Sequence, residues 1–241
     1  MYLVFVHECG HFFTALFLNV EVDKIYIYPF GGISKINMNL NISQKKELII
    51  LIMGPIFQFI GYLILINIDF FKSYYQIIKI YNYGILCFNL LPIYPLDGGR
   101  LLNIFLSLKL NYKKSLICSI INSYLIVFFM FLIFIKNYSV NLLIIILFLL
   151  YKITFEYKKI NYFYEKFLLE RYLKGYEFRE KIIINNINNF YRNRRHLIKI
   201  GDEYYTEKKI LEKKYKKYWL LKKWYGIIQV LTDSLVSALG H

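Results

Sequence analysis

The chain has 241 residues, 57% of them hydrophobic and 20% aromatic, with a formal net charge of +15 at neutral pH. A soluble domain of this length could bury a good core but would rarely be so apolar. Apolar runs such as Glu47–Asn67, Ser115–Ile135 and Val140–Tyr157 are long enough, at about 1.5 Å per residue, to cross roughly 30 Å of hydrocarbon. Composition therefore excludes an ordinary soluble protein and predicts an α-helical polytopic membrane protein.

In chain order, Met1–Val20 reads as an apolar helix carrying His7, Glu8 and His11 in mid-run. It lacks the basic start and small-residue cleavage site of a signal peptide. Val22–Asn41 changes period: two short strands are predicted around Pro29-Phe30-Gly31-Gly32, a β-hairpin or re-entrant loop too short and polar to span. Glu47–Asn67 is the second span, with a break or kink expected at Gly54-Pro55, and Tyr74–Pro92 the third. Prolines and glycines from Pro92 to Gly99 stop that helix, and irregular backbone at such depth needs shielding by protein or a wet cavity. A helix resumes over Leu101–Leu108, and Ser115–Ile135 and Val140–Tyr157 complete about five transmembrane helices.

The excess Lys and Arg falls mostly after Tyr157, as in Lys158–Lys159, Arg192–Arg195 and Lys213–Lys217. The chain thus divides into a transmembrane unit, residues 1–157, and a basic tail, residues 158–241, placed in the cytoplasm by the positive-inside tendency. The tail reads as a small α+β unit, with short strands at Ile182–Ile187 and Arg195–Ile200 and a charged helix at Thr206–Trp219. Its aromatics, among them Tyr204, Tyr205, Tyr215 and Trp219, follow no RNA-binding spacing, so no nucleic-acid partner is expected. Ile227–His241 is apolar again and carries no signal that can be interpreted. Cys9, Cys87 and Cys118 form no CxxC pair and read as small apolar side chains.

Chemistry concentrates in His7-Glu8-Cys9-Gly10-His11, an H-E-x-x-H. Residues four apart on a helix share a face, so both imidazoles can reach one metal ion, and neutral imidazole is a good zinc ligand. Glu8 is then placed as general base, because zinc lowers the pKa of a coordinated water towards about 7. In an apolar run an uncompensated charge costs about 2.5–3.5 kcal/mol on insertion scales, and a divalent cation is the simplest compensation for three such groups. A catalytic zinc takes three protein ligands and keeps one open position. His196 and His241 lie in the tail and Asp69 near a span end. Asp97, after a broken helix and before Gly98 and Gly99, is the expected third ligand.

These motifs resemble the site-2 protease family of membrane zinc metalloproteases. Leu96-Asp97-Gly98-Gly99 after Asn89-Leu90-Leu91-Pro92, together with the H-E-x-x-H, carries the likeness. Pro29-Phe30-Gly31-Gly32, Gly54-Pro55 and Phe167-Leu168-Leu169-Glu170-Arg171-Tyr172 resemble its stage IV sporulation protein FB branch. The resemblance implies one zinc ion held by His7, His11 and Asp97, Glu8 as base, and Asn89 behind the ligands or orienting substrate. It implies a substrate loop at Pro29, Phe30, Gly31 and Gly32. It also implies regulated cleavage of a membrane-associated sporulation sigma-factor precursor in the membrane around the forespore. Inhibitory membrane proteins, lipid and a second copy of the chain are the implied partners. The branch ends in a cystathionine-β-synthase-type domain, which implies ATP at a diverged or partial version in the tail. Family members carry one further span before the H-E-x-x-H helix, whereas this chain begins six residues before His7. The alternative is a non-catalytic membrane metal-binding protein or an inactive homologue serving as a binding module. A transporter would show paired repeats, and none is visible; an inactive homologue would have lost Glu8 or a ligand.

Overall fold

The computed structural model describes residues 1–20, 27–28, 32–33, 40–176, 178 and 180–215. Helix α1, Tyr2–Phe17, is followed by a minimal hairpin of β1, Ile27–Tyr28, and β2, Gly32–Ile33, paired antiparallel with Ile27 opposite Ile33. Two strands were expected in this stretch, and Pro29–Gly31 between them lie outside the described residues. Helix α2, Gln44–Ile66, does not break at Gly54-Pro55 but continues through it. Pro55 removes one helical hydrogen bond, and tight packing on α1 keeps the rest of the helix in register.

A 3-10 turn at Asp69–Tyr74 leads into α3, Tyr75–Leu90. Helix α4, Asp97–Lys109, begins four residues earlier than the sequence suggested, because Asp97 itself opens its first turn. Helices α5, Tyr112–Asn137, and α6, Val140–Lys158, form an antiparallel pair. Asn111 caps α5 by accepting from Lys114 N at 2.9 Å, the standard remedy for a free helix-start amide. Among the described residues, α2, α5 and α6 are the three helices long and apolar enough to cross a membrane. The other two expected spans, α1 and α3, have 16 residues each, roughly 24 Å of helix. They are short because Leu18 ends one and Leu91-Pro92 ends the other.

Small and hydroxyl side chains set how α4 stands against α5. Asn103 Nδ2 lies 3.2 Å from Ser119 Oγ, and Ser123 Oγ accepts from Tyr94 N at 2.7 Å. Such polar contacts fix helices in lipid, where apolar packing alone discriminates little. They hold the turn that presents Asp97.

Beyond α6, the chain folds into α7, Ile160–Lys174, then β3, Lys181–Ile184, β4, Arg195–Ile200, β5, Glu203–Thr206, and α8, Glu207–Tyr215. The sheet order is β3-β4-β5, with β3 parallel and β5 antiparallel to β4. The expected strand at Arg195–Ile200 is β4; the other expected strand starts one residue earlier and ends at Ile184, and α7 and β5 were not foreseen. The stretch Ile227–His241 lies outside the described residues. One apolar cluster joins Tyr112, Leu116 and Ile120 of α5 and Ile153 of α6 to Phe167, Phe190, Ile198 and Leu211. The α+β unit is thus continuous with the helices beside it.

A buried polar knot reinforces that junction. Arg171 donates to Tyr191 O, Arg192 O and Asn41 Oδ1 at 2.6, 2.8 and 2.8 Å, and Glu170 accepts from Leu40 N at 2.7 Å. Arg192 reaches Glu47 of α2 at 2.6 Å. Leu40 and Asn41 lead into α2, so the tail grips the start of that helix.

His196 in β4 is fully buried, between the Glu207 carboxylate and the Tyr191 amide, whose N–H it accepts at 2.9 Å. Burial pushes its imidazole below the ordinary value; Glu207 opposes this, and Arg171 and Arg194 add to it. The folded tail therefore binds fewer protons than the unfolded chain between the depressed value and about 6.5, and stability falls as pH drops through that window. Proteolytic nicking of residues 176–215 should rise between pH 7.5 and 5.5, and His196→Gln should flatten the dependence. A tail that grows more resistant on acidification would contradict this assignment.

Candidate metal centre

Helical spacing puts His7 and His11 one turn apart on α1, ring centroids 4.8 Å apart and edge to face. Both are buried, and their Nε2 atoms lie 3.1 Å from each other. Asp97 Oδ2 comes within 2.9 Å of His7 Nε2 and 3.2 Å of His11 Nε2. Close packing brings it there: a Cβ on Gly98 would stand 2.1 Å from Leu90 O, so only glycine lets the first turn of α4 fold back on the end of α3.

The two far ring nitrogens settle which atoms face inward. His11 Nδ1 lies 2.8 Å from Ile50 O; a carbonyl can only accept, so this nitrogen carries the hydrogen and Nε2 keeps a lone pair. His7 Nδ1 lies 2.9 Å from Gln58 Oε1, with the same result. Two lone pairs and a carboxylate oxygen thus converge, an arrangement that repels itself unless a cation sits among them. Ligand atoms bound tetrahedrally at about 2.0–2.1 Å stand roughly 3.3 Å apart, close to the separations here. Two imidazoles and one carboxylate form a donor set suited to zinc. No other group of three His, Cys, Asp or Glu among the described residues is arranged to hold a metal.

Glu8 is half-buried beside this cluster, with His11, His7, Asp97 and Arg100 as its electrostatic neighbours. Asn89 Nδ2 lies 3.5 Å from His7 Nε2. Gly32 pairs with Tyr28 in the hairpin, while Pro29, Phe30 and Gly31 lie outside the described residues. The structure therefore gathers His7, Glu8, His11, Asn89 and Asp97, and leaves the substrate-loop residues undescribed apart from the backbone pairing of Gly32.

Three groups escaped the sequence reading: Ile50 O, Gln58 and Asn82. A backbone carbonyl gives no sequence signal. Gln58 did give one, as a lone primary amide inside a charge-free run, where it needs partners.

Residues 1–72 match the model of peptidase family M50. The match includes the H-E-x-x-H and α2 and stops before Asp97. Similarity to stage IV sporulation protein FB of Bacillus subtilis runs further, 29% identical over 70% of this chain and 61% of that protein. A zinc metalloprotease of Methanocaldococcus jannaschii is 36% identical over 46% of this chain and 34% of its own length. The chain thus spans about three fifths of the first relative and one third of the second. Among solved structures, a site-2 protease from Methanocaldococcus jannaschii aligns at a TM-score of 0.48 and 27% identity, covering 63% of this chain and 72% of that one. The resemblance read from the motifs, to the M50 or site-2 protease family and its sporulation branch, is borne out.

Proposed function

We propose that this chain is an intramembrane zinc metalloendopeptidase of the site-2 type. The convergence of His7 Nε2, His11 Nε2 and Asp97 Oδ2, with Glu8 beside them, carries the reading. When bound, zinc supplies Lewis-acid polarisation of a carbonyl and acidifies water. His7, His11 and Asp97 hold the ion. The carboxylate of Glu8 takes the proton from the attacking water and returns it to the departing amide nitrogen. Asn89 Nδ2 donates towards the substrate carbonyl. Substrate must be extended to expose that carbonyl, and edge pairing on the β1–β2 hairpin suits this.

Charge asymmetry supports a cytoplasmic tail. Glu47 at the start of α2 and Tyr112 at the start of α5 both touch the tail. Lys45, Lys46, Lys109, Lys113, Lys114, Lys158 and Lys159 cluster at that end of the helices. The opposite end offers Asp69, Lys72, Lys79 and Lys136. Under the positive-inside tendency, the former end faces the cytoplasm, and a multi-pass protein of a bacterial membrane follows. Residues 1–157 form the proteolytic unit and residues 158–241 a basic regulatory tail.

The sporulation-branch likeness points to a substrate: the membrane-associated precursor of a sigma factor, which loses its N-terminal pro-segment, under restraint by partner membrane proteins. Co-expression of the chain with that precursor from the same genome should yield the shortened form, and Glu8→Gln should abolish it. Persistent full-length precursor with the unaltered chain would remove the sigma factor as substrate.

A further inference from the structure

We propose that Gln58 is a positioning residue that sets the tautomer of His7, forming with Asn82 a polar relay across α1, α2 and α3. Gln58 and Asn82 are both fully buried. The amide of Gln58 spans the gap between two helices: Nε2 donates to Asn82 O at 3.1 Å and to Asn82 Oδ1 at 3.0 Å, while Oε1 accepts from His7 Nδ1 at 2.9 Å. Amide orientation is ambiguous only where both ends have flexible partners. Here Asn82 O is a backbone carbonyl that can only accept. It obliges Gln58 to present its NH2 to α3 and its oxygen to α1, and this in turn places the His7 hydrogen on Nδ1.

The consequence reaches the metal centre, so the inference deepens the zinc reading. An apolar residue at position 58 would leave His7 Nδ1–H a buried donor without an acceptor, an unfavourable state. The imidazole has a better option, because Asp97 Oδ2 stands 2.9 Å from Nε2. Moving the hydrogen to Nε2 gains that acceptor and removes the lone pair the ion needs. Gln58 thus opposes a competing hydrogen bond inside the ligand set itself. Asn82 lies two turns before Asn89 on α3, so the relay also fixes the helix that carries Asn89.

The test uses the full chain in detergent, with ring-15N histidine; only four histidines are present, and His7→Ala assigns the signal. In metal-free wild type, His7 should show the Nδ1–H pattern. In Gln58→Leu it should shift to Nε2–H, and zinc affinity by chelator competition should fall about 10–100-fold, as for other outer partners of metal-bound histidine. Gln58→Glu, protonated towards Asn82 O, should restore both readouts. Asn82→Ala, which keeps the backbone carbonyl, should change affinity only a few-fold. If Gln58→Leu fails to fold, Gln58→Met is read in its place. A folded apolar variant that keeps Nδ1–H and wild-type affinity overturns the proposal. If the wild-type chain binds no zinc, the metalloprotease reading falls, while the metal-free tautomer measurement still decides the role of Gln58.

Discussion

Replacing Glu8 by Gln should reduce cleavage by about 10²–10⁴-fold, the usual worth of a positioned general base, without reducing bound zinc. The two side chains have the same shape, so the packing of α1 is kept and the three ligand atoms stay in place. What is lost is the ability of the half-buried carboxylate, beside His7, His11 and Asp97, to accept a proton from water and pass it to nitrogen. The measurement pairs substrate conversion in co-expressing cells with the zinc content of the purified chain. Low conversion with full zinc is the expected pair. Conversion at the wild-type rate would remove Glu8 as the base, and loss of zinc would assign it to holding the ion instead.

Gly54→Ala should disable the site without touching a ligand. A Cβ on Gly54 would stand 2.3 Å from both Cε1 and Nε2 of His11, far inside contact distance. Gly54 lies within the long helix α2, so its backbone has little room to yield. The imidazole must then swing away from Ile50 O, and Nε2 leaves the other two ligand atoms. Zinc affinity should fall by more than the 10–100-fold typical of losing an outer partner, and cleavage should fall with it. Gly61→Ala is the control: its Cβ would meet Val6 Cγ1 at 2.9 Å, an apolar contact on the same helix pair that touches no ligand. It should keep its zinc. Equal loss in both variants would mean that general loosening of α1 against α2, rather than displacement of His11, is being measured.

Legibility in the sequence followed the range of the forces involved. The facing of His7 and His11 is dictated by helical spacing, and their setting in an apolar run marks them as needing compensation, so both were visible. Asp97 was visible because Gly98 and Gly99 follow it after a proline-broken helix, a pattern with few uses beyond close backbone approach. The acceptors behind the imidazoles were not visible. Ile50 O is any residue's carbonyl, and the reach of Gln58 to Asn82 depends on how α2 and α3 pack, which no local pattern encodes. Pro55 misled for a related reason: its local preference for a break was outweighed by the packing of α2 on α1. In the tail, β4 alternates clearly enough to be read, whereas α7 is polar on several faces and owes its place to Phe167 and Leu168 in a core shared with α5. Its Arg171 is held by backbone carbonyls far along the chain, contacts that exist only once the sheet has formed.

In the zinc reading, one divalent cation joins two imidazoles of α1 to the first residue of α4. Metal analysis of the purified full-length chain, combined with X-ray absorption at the zinc edge, tests it most directly. The expected result is one zinc per chain with two nitrogen ligands and at least one oxygen at about 2.0–2.2 Å, lost together in Asp97→Ala. A folded chain that is metal-free, or one whose zinc survives that substitution with its coordination unchanged, would contradict it.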